Sequence, residues 1–282
     1  MPELPEVETV RRGLAKYILG KTVDEIEVFD ARSLKKDSAK VFRSTLNNST
    51  ITGINRRGKF LWLTLDDTDV VVLIHLGMSG QVLLEKHSTP LHPHVRIRLQ
   101  LKAKNRDIRF VDQRLFGGMQ LDVLDGNVPR SIRHIAPDPF ENEYEQESVL
   151  ANVQKRTAGI KSLMLNQSIV SGIGNIYADE ALWHSKIHYL TPGNRLSVKK
   201  LETLFDAAKM VMARAIEAGG TSFDDLYVNV NGESGWFAVD LNAYGREDEP
   251  CTRCGRLIVR EAWSNRSSYR CPRCQPKPKA SR

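Results

Sequence analysis

The sequence predicts an α+β protein of several domains: an antiparallel β-sandwich led by one helix, a helical domain, and a small cysteine-bearing hairpin. Three observations predict it. Short apolar runs separated by turn residues fill the chain from about residue 20 to 125, and Val95, Ile97, Leu99 and Leu101 alternate strictly with polar residues, the pattern of half-buried antiparallel strands. Past Pro129, Pro137 and Pro139 the apolar spacing becomes helical. All four cysteines fall at or after Cys251.

Taken in order, Val7, Val10, Leu14, Tyr17 and Ile18 recur at helical spacing with Arg11, Arg12 and Lys16 off the stripe, which predicts one amphipathic helix over residues 6–18. Strand runs follow at 51–54, 60–65, 70–76, 81–84, 95–101, 108–111 and 119–124. Asp125-Gly126 and the prolines after it mark a linker. Val149, Leu150 and Val153 begin the helical part, and Leu201, Leu204, Phe205, Ala208, Val211, Met212 and Ala215 form one face of a long helix, with Ser197 placed to cap its start and Gly219 its end. Between them Gly172-Ile173-Gly174 turns into a helix beginning at Asn175. The division expected is 1–128, 129–240 and 241–282. No internal repeat or low-complexity tract is present.

At 282 residues, two or three units are the prior. With 41% apolar and 27% charged residues, and no run of about 18 apolar residues, the chain reads as soluble, without a membrane partner. Its acidic start does not resemble a signal peptide, so a cytoplasmic location is expected. A net charge of +7 points to a polyanionic partner. The charge is concentrated: from Cys251 onward nine Lys or Arg face the single acid Glu261.

Four local patterns carry chemistry. The opening Met1-Pro2-Glu3-Leu4-Pro5-Glu6 places an imino acid second with carboxylates beside it. Once Met1 is removed, which a small second residue permits, Pro2 is a secondary amine titrating near pH ~8 and partly nucleophilic at neutrality; Glu3 and Glu6 are placed to handle protons. The same residues are equally what opens a helix, since proline and acids both suit a first turn. Cys251-x2-Cys254, sixteen residues, then Cys271-x2-Cys274 is a four-thiolate zinc pattern. One structural Zn2+ is expected, with no open coordination position. Asn55-Arg56-Arg57-Gly58-Lys59-Phe60 puts three cations at a strand-entry turn, where a solvated face would look the same. The Gly172 to Asn175 turn leaves helix N–H groups facing outward, which suits a phosphate and also an ordinary cap.

Residues 2–14, Pro-Glu-Leu-Pro-Glu-Val-Glu-Thr-Val-Arg-Arg-Gly-Leu, resemble the N-terminus of the bacterial formamidopyrimidine-DNA glycosylases, and the resemblance extends over essentially the whole chain. It implies a bifunctional enzyme of base excision repair that acts as a monomer on double-stranded DNA containing oxidised purines or abasic sites. Pro2 would attack C1′ and form a Schiff base, Glu3 would protonate the sugar ring oxygen, and Glu6 would assist with protons. Lys59 would contact phosphate and donate a proton in β-elimination, and Arg266, in the zinc-finger tip 263–269, would contact phosphate and assist the second elimination. Asn175, within a helix-two-turn-helix, would hold a backbone phosphate. Met78, Arg114 and Phe116 would fill the gap left by the flipped nucleotide, with arginine facing the opposite cytosine, an apolar wedge offsetting part of the few kcal/mol of lost stacking. His92 and Arg156 match further DNA-contact positions, and 221–232 resembles the loop covering an extruded purine. The family's Asp-Pro-Arg-Arg-Phe-Gly is here Asp112-Gln113-Arg114-Leu115-Phe116-Gly117, so one cation of that loop is missing. The related endonuclease VIII type, which takes oxidised pyrimidines, begins Pro-Glu-Gly-Pro-Glu; Leu4 and the Met78, Arg114, Phe116 set argue against it. A zinc-ribbon DNA-binding protein without catalysis is the reading from another class, in which Pro2 only starts a helix.

Overall fold

Helix α1 (Leu4–Ile18) starts two residues ahead of the expected position 6 because a capping box closes there: Glu3, at the N-cap, and Glu6 each accept from the other's backbone N–H, the Glu3 N–H to Glu6 Oε2 bond being 2.8 Å. Pro5 sits in the first turn, where its missing N–H leaves no bond unmade. Val7, Val10, Leu14 and Ile18 are buried, each contributing about 1.5–3 kcal/mol of hydrophobic burial. The computed structural model describes residues 2–102, 105–220 and 241–279.

Strand β1 (Val23–Val28) and helix α2 (Ala39–Leu46) come next. The remaining strands are β2 (Ile51–Arg57), β3 (Phe60–Leu65), β4 (Val70–His75), β5 (Gln81–Lys86), β6 (Val95–Leu101), β7 (Arg106–Val111), β8 (Gly118–Asp125) and β9 (Val128–Pro129). They form two antiparallel sheets, β1-β6-β7-β5 and β2-β3-β4-β8-β9. The apolar faces of both, with α1 and α2, enclose one core that includes Phe42, Leu61, Ile97, Phe110 and Met119. This is the expected sandwich. Its alternation is literal in β6, where every second residue is buried. Neither β1 nor α2 is expected from the sequence. In β1 the register shifts between Val23 and Ile26, a bulge that breaks the two-residue period. In α2 only Phe42 and Leu46 are buried, too few to show a helical period.

The chain divides into two units. The first runs to His134 and takes up the chain again from Ile216; the second contains Ile135–Ala215 and the described residues from 241 on. In the second, α3 (Gln146–Gln154), α4 (Ile160–Leu165), α5 (Asn175–Ser185) and α6 (Val198–Glu217) are joined by the hairpin β10 (Val259–Trp263) and β11 (Arg266–Arg270). The seven apolar residues expected on one face of α6, Leu201 to Ala215, are all buried. Ser197 Oγ accepts from Lys200 N–H at its start, and Gly219 takes a left-handed φ of +79° beyond its end. The cysteine hairpin shares a small core with Trp183 of α5, Ala243 and Ile258. Residues 221–232, expected to cover an extruded base, lie outside the described residues.

Candidate functional site

In the first unit, Pro2, Glu3 and Glu6 are all buried at the head of α1. Glu3 and Glu6 are thereby fixed against each other through the capping box, and Pro2 stands directly ahead of the positive end of the helix dipole. Glu8, one turn on, has a different part. Its carboxylate accepts from Arg11, Arg12 and Arg56 at 2.7–3.0 Å. Burial would raise its pKa, but the Arg11 and Arg12 hydrogen bonds and the Arg56 charge override this and bring it to about 2.

Lys59 is half-buried in the two-residue turn between β2 and β3, where Gly58 adopts φ +55°. The sequence reading missed its neighbour His75, at the end of β4. The His75 ring stacks at a tilt on Phe60, centroids 4.7 Å apart, and its Nδ1 accepts from Gly77 N–H at 3.2 Å. Burial, then the charges of Lys59 and Lys35, lower its pKa to about 4. The ring is therefore neutral at neutral pH with its proton on Nε2, a hydrogen-bond donor that brings no charge. Only its burial reveals this, and its sequence context, the end of an apolar run, conceals it.

Met78 and Phe116 are 41% and 51% exposed, unlike the core methionine and phenylalanine that a β-domain ordinarily holds. They stand on two loops, 77–80 and 112–117, that meet backbone to backbone: a Cβ on Gly77 would run into the Gly117 N and the Phe116 carbonyl carbon. Arg114 is exposed, its guanidinium 4.7 Å from the centroid of the Phe116 ring. Where the family pattern has its second arginine, Leu115 turns through φ +59°, and its carbonyl accepts from Lys35 Nζ at 3.0 Å. His92 is exposed on the segment leading into β6.

In the second unit, Asn175 opens α5 and donates its Nδ2 to the Ser267 carbonyl at 2.9 Å, which ties the glycine turn to the hairpin. The hairpin turns through Ser264 (φ +44°) and Asn265 (φ +58°), the left-handed pair that a two-residue turn matching strand twist requires. Arg266 follows, exposed at the tip. Behind it lies a buried polar cluster not anticipated from the sequence. Lys161 Nζ is 2.7 Å from Asp179 Oδ1, with both side chains sealed from solvent. Lys161 also donates to Ser267 O at 3.3 Å and lies 4.8 Å from the Trp263 ring centroid. Asp179 accepts from Ser268 Oγ and Tyr269 N–H, both at 2.9 Å. Glu180 accepts the backbone N–H groups of Asn242, Ala243 and Tyr244 at 2.8–2.9 Å. Arg156 stands just past α3, its Nε donating to Asn152 at 3.0 Å.

The sulfurs of Cys251, Cys254, Cys271 and Cys274 lie within 4.8 Å of one another. A tetrahedral zinc with Zn–S of about 2.3 Å needs sulfur–sulfur edges of about 3.8 Å, which this cluster matches. The surroundings suit thiolates. Trp183 Nε1 donates to Cys251 Sγ at 3.3 Å, Cys274 N–H donates to Cys271 Sγ at 3.4 Å, and the Arg253 guanidinium lies 3.9 Å from the Trp183 ring centroid. The site holds one zinc, and with four cysteine ligands the ion serves structure alone.

An antiparallel sandwich, a helical unit and a four-thiolate finger thus follow one another in one basic chain. Family models match along the chain: the formamidopyrimidine-DNA glycosylase N-terminal domain over residues 1–119, the H2TH domain of the same enzymes over 135–226, and the zinc finger found in FPG and IleRS over 248–277. The chain belongs to the formamidopyrimidine-DNA glycosylase family. It is 48% identical over 296 residues to the formamidopyrimidine-DNA glycosylase of Thermobifida fusca, covering 100% of both chains. Among solved structures it is similar to the wild-type Lactococcus lactis Fpg (MutM) in complex with N7-benzyl-Fapy-dG-containing DNA, at TM-score 0.89 and 33% identity over 98% of this chain and 100% of that one. It is also similar to MutM in complex with carbocyclic 8-oxo-G-containing DNA, at TM-score 0.86 and 31% identity over the same shares. Among the described residues no helix is long and apolar enough to cross a membrane.

Proposed function

We infer that this chain is a bifunctional DNA glycosylase and abasic-site lyase of base excision repair, acting on 8-oxoguanine and formamidopyrimidines in duplex DNA. The observation that carries the reading is Pro2 standing directly ahead of the Glu3–Glu6 capping box, in a chain that matches this family along its whole length. Pro2, freed of Met1, attacks C1′ and displaces the damaged base while Glu3 protonates the sugar ring oxygen. Glu6, bonded to the Glu3 backbone, orients that acid and shares in proton handling. Ring opening leaves an iminium, which makes the adjacent C2′ hydrogen acidic. Loss of that proton and of the 3′ phosphate is the β-elimination, and the second elimination releases the 5′ phosphate. Lys59 serves the first step and Arg266 the second, each through contact with a backbone phosphate; Asn175 holds a further phosphate, and His92 and Arg156 make further contacts with the DNA.

Met78, Arg114 and Phe116 occupy the vacated stack, and their exposure supports that part. The zinc holds the hairpin that presents Arg266 and takes no part in bond breaking. A monomer in the bacterial cytoplasm fits this work. Borohydride trapping on an 8-oxoguanine duplex tests the reading. The processed protein should give a covalent band stable to denaturant. A protein with an uncleaved N-terminal extension should give none while still binding duplex. Glu3→Gln should slow base release yet spare cleavage of a preformed abasic site. Trapping by the extended protein equal to that of the processed one would move the nucleophile away from Pro2.

A further inference from the structure

Asp112 is an acid with no solvent exposure that belongs to none of the groups assigned above. Its two carboxylate oxygens take three donors. Oδ1 accepts from Ser79 Oγ at 2.6 Å and from Arg114 N–H at 3.1 Å, and Oδ2 accepts from Gly117 N–H at 2.8 Å. Its backbone is held as firmly. The Asp112 N–H donates to His94 O at 2.9 Å, and its carbonyl accepts from Arg96 Nε at 2.7 Å. One residue thus ties three segments that lie far apart in sequence. Ser79 is next to Met78, His94 is two residues past His92, and Arg114 to Gly117 surround Phe116. An aspartate that merely turned its own loop would bond only to groups a few residues away. The bond to Ser79 instead spans 33 residues and joins the two loops where Gly77 and Gly117 meet.

We propose that Asp112 is a positioning residue whose carboxylate locks the loops bearing Met78, His92, Arg114 and Phe116 in one register, so that the set meets DNA already shaped. This rests on the reading that Met78, Arg114 and Phe116 enter the duplex. The chemistry favours a carboxylate, because each of its oxygens faces a backbone N–H, Arg114 on one side and Gly117 on the other, that can only donate. In Asp112→Asn the new amide would turn its N–H hydrogens toward at least one of those donors, so a bond is lost and a repulsion added without change of volume. A set held in advance spares the ordering of two loops at each flipping event.

The test compares two substrates under single turnover: an 8-oxoguanine·cytosine duplex, and a preformed abasic site in a single-stranded oligonucleotide, which has no stack to fill. Asp112→Asn should slow base excision from the duplex by about 10- to 100-fold, the loss expected for a charge-assisted bond, and spare cleavage of the single strand. Ser79→Ala, which retains the carboxylate, should act in the same direction more weakly, and it carries the test if Asp112→Asn does not fold. Phe116→Ala is the control for the underlying reading, and its effect should combine with that of Asp112→Asn less than additively. Equal slowing on both substrates, or full additivity, overturns the proposal. Normal duplex excision by both Asp112→Asn and Ser79→Ala, with Phe116→Ala impaired, overturns it and leaves the insertion reading standing. Normal excision by Phe116→Ala removes that reading and the proposal with it.

Discussion

Lys161 and Asp179 form an ion pair 2.7 Å long with neither side chain open to water, and both partners reach the backbone of the finger hairpin at residues 267–269. Such a pair contributes little against an apolar replacement of the same shape, yet breaking it from one side leaves an uncompensated buried charge. Lys161→Met should therefore destabilise the protein by roughly 3–5 kcal/mol. Adding Asp179→Leu should restore part of that loss. Chemical denaturation of the two single variants and the double variant measures it. A Lys161→Met protein within about 1 kcal/mol of the parent would show that Asp179 becomes neutral instead.

Zinc removal should act locally. Cys271→Ser, or chelation, should loosen β10 and β11 and abolish strand cleavage, because binding energy at a structural zinc site is folding energy of the segment it closes. The sandwich has its own core and should survive. Metal analysis should find one zinc in the parent and less in the variant. Loss of the sandwich's cooperative unfolding along with the metal would contradict a local role.

Arg266→Ala tests the phosphate contact at the hairpin tip. Duplex affinity should fall steeply with salt in the parent, and the variant's logarithmic slope should be flatter by about 0.9, the share of one phosphate. Filter binding at several salt concentrations reads it directly. An unchanged slope with unchanged affinity would return Arg266 to a solvated surface residue.

Acid should weaken the first unit through Glu8. Its folded pKa of about 2 lies below the ordinary value of 4.5, so its contribution is fully present above pH 4.5 and is lost as pH falls toward 2. The contribution is roughly 3 kcal/mol, to order of magnitude. Glu8→Gln should be less stable at neutral pH and should show a shallower decline between pH 4.5 and 2.5. Denaturation midpoints across that range decide the matter, and parallel declines would remove Glu8 from the account.

What could be read in advance follows physical lines. The strict alternation of β6 and the seven-residue face of α6 announced themselves because burial there repeats over several periods. The four thiolates were legible because ligand spacing survives any fold. Strand β1 was not, since its bulge erases the two-residue rhythm, and α4 is too short at six residues to display a period. Lys161, His75 and Asp112 were illegible for another reason. A charged or polar residue reads as surface until its distant partners are known, and the bond from Ser79 to Asp112 crosses 33 positions. The exposure of Met78 and Phe116 likewise depends on loops whose meeting at Gly77 and Gly117 no local pattern announces.

Trp183 donates its indole N–H to Cys251 Sγ at 3.3 Å, with the Arg253 guanidinium 3.9 Å from its ring centroid. This arrangement gives the protein a built-in optical gauge. A metal-held thiolate accepts that bond differently from a free thiol, so the emission of Trp183 should shift when the ion leaves, while Trp62 in the sandwich stays constant. Finger integrity can then be followed in real time without a label. Trp183→Phe should remove most of the chelator-induced change, leaving the part that Trp263 contributes as β10 loosens, and a change undiminished in that variant would assign the gauge to Trp263.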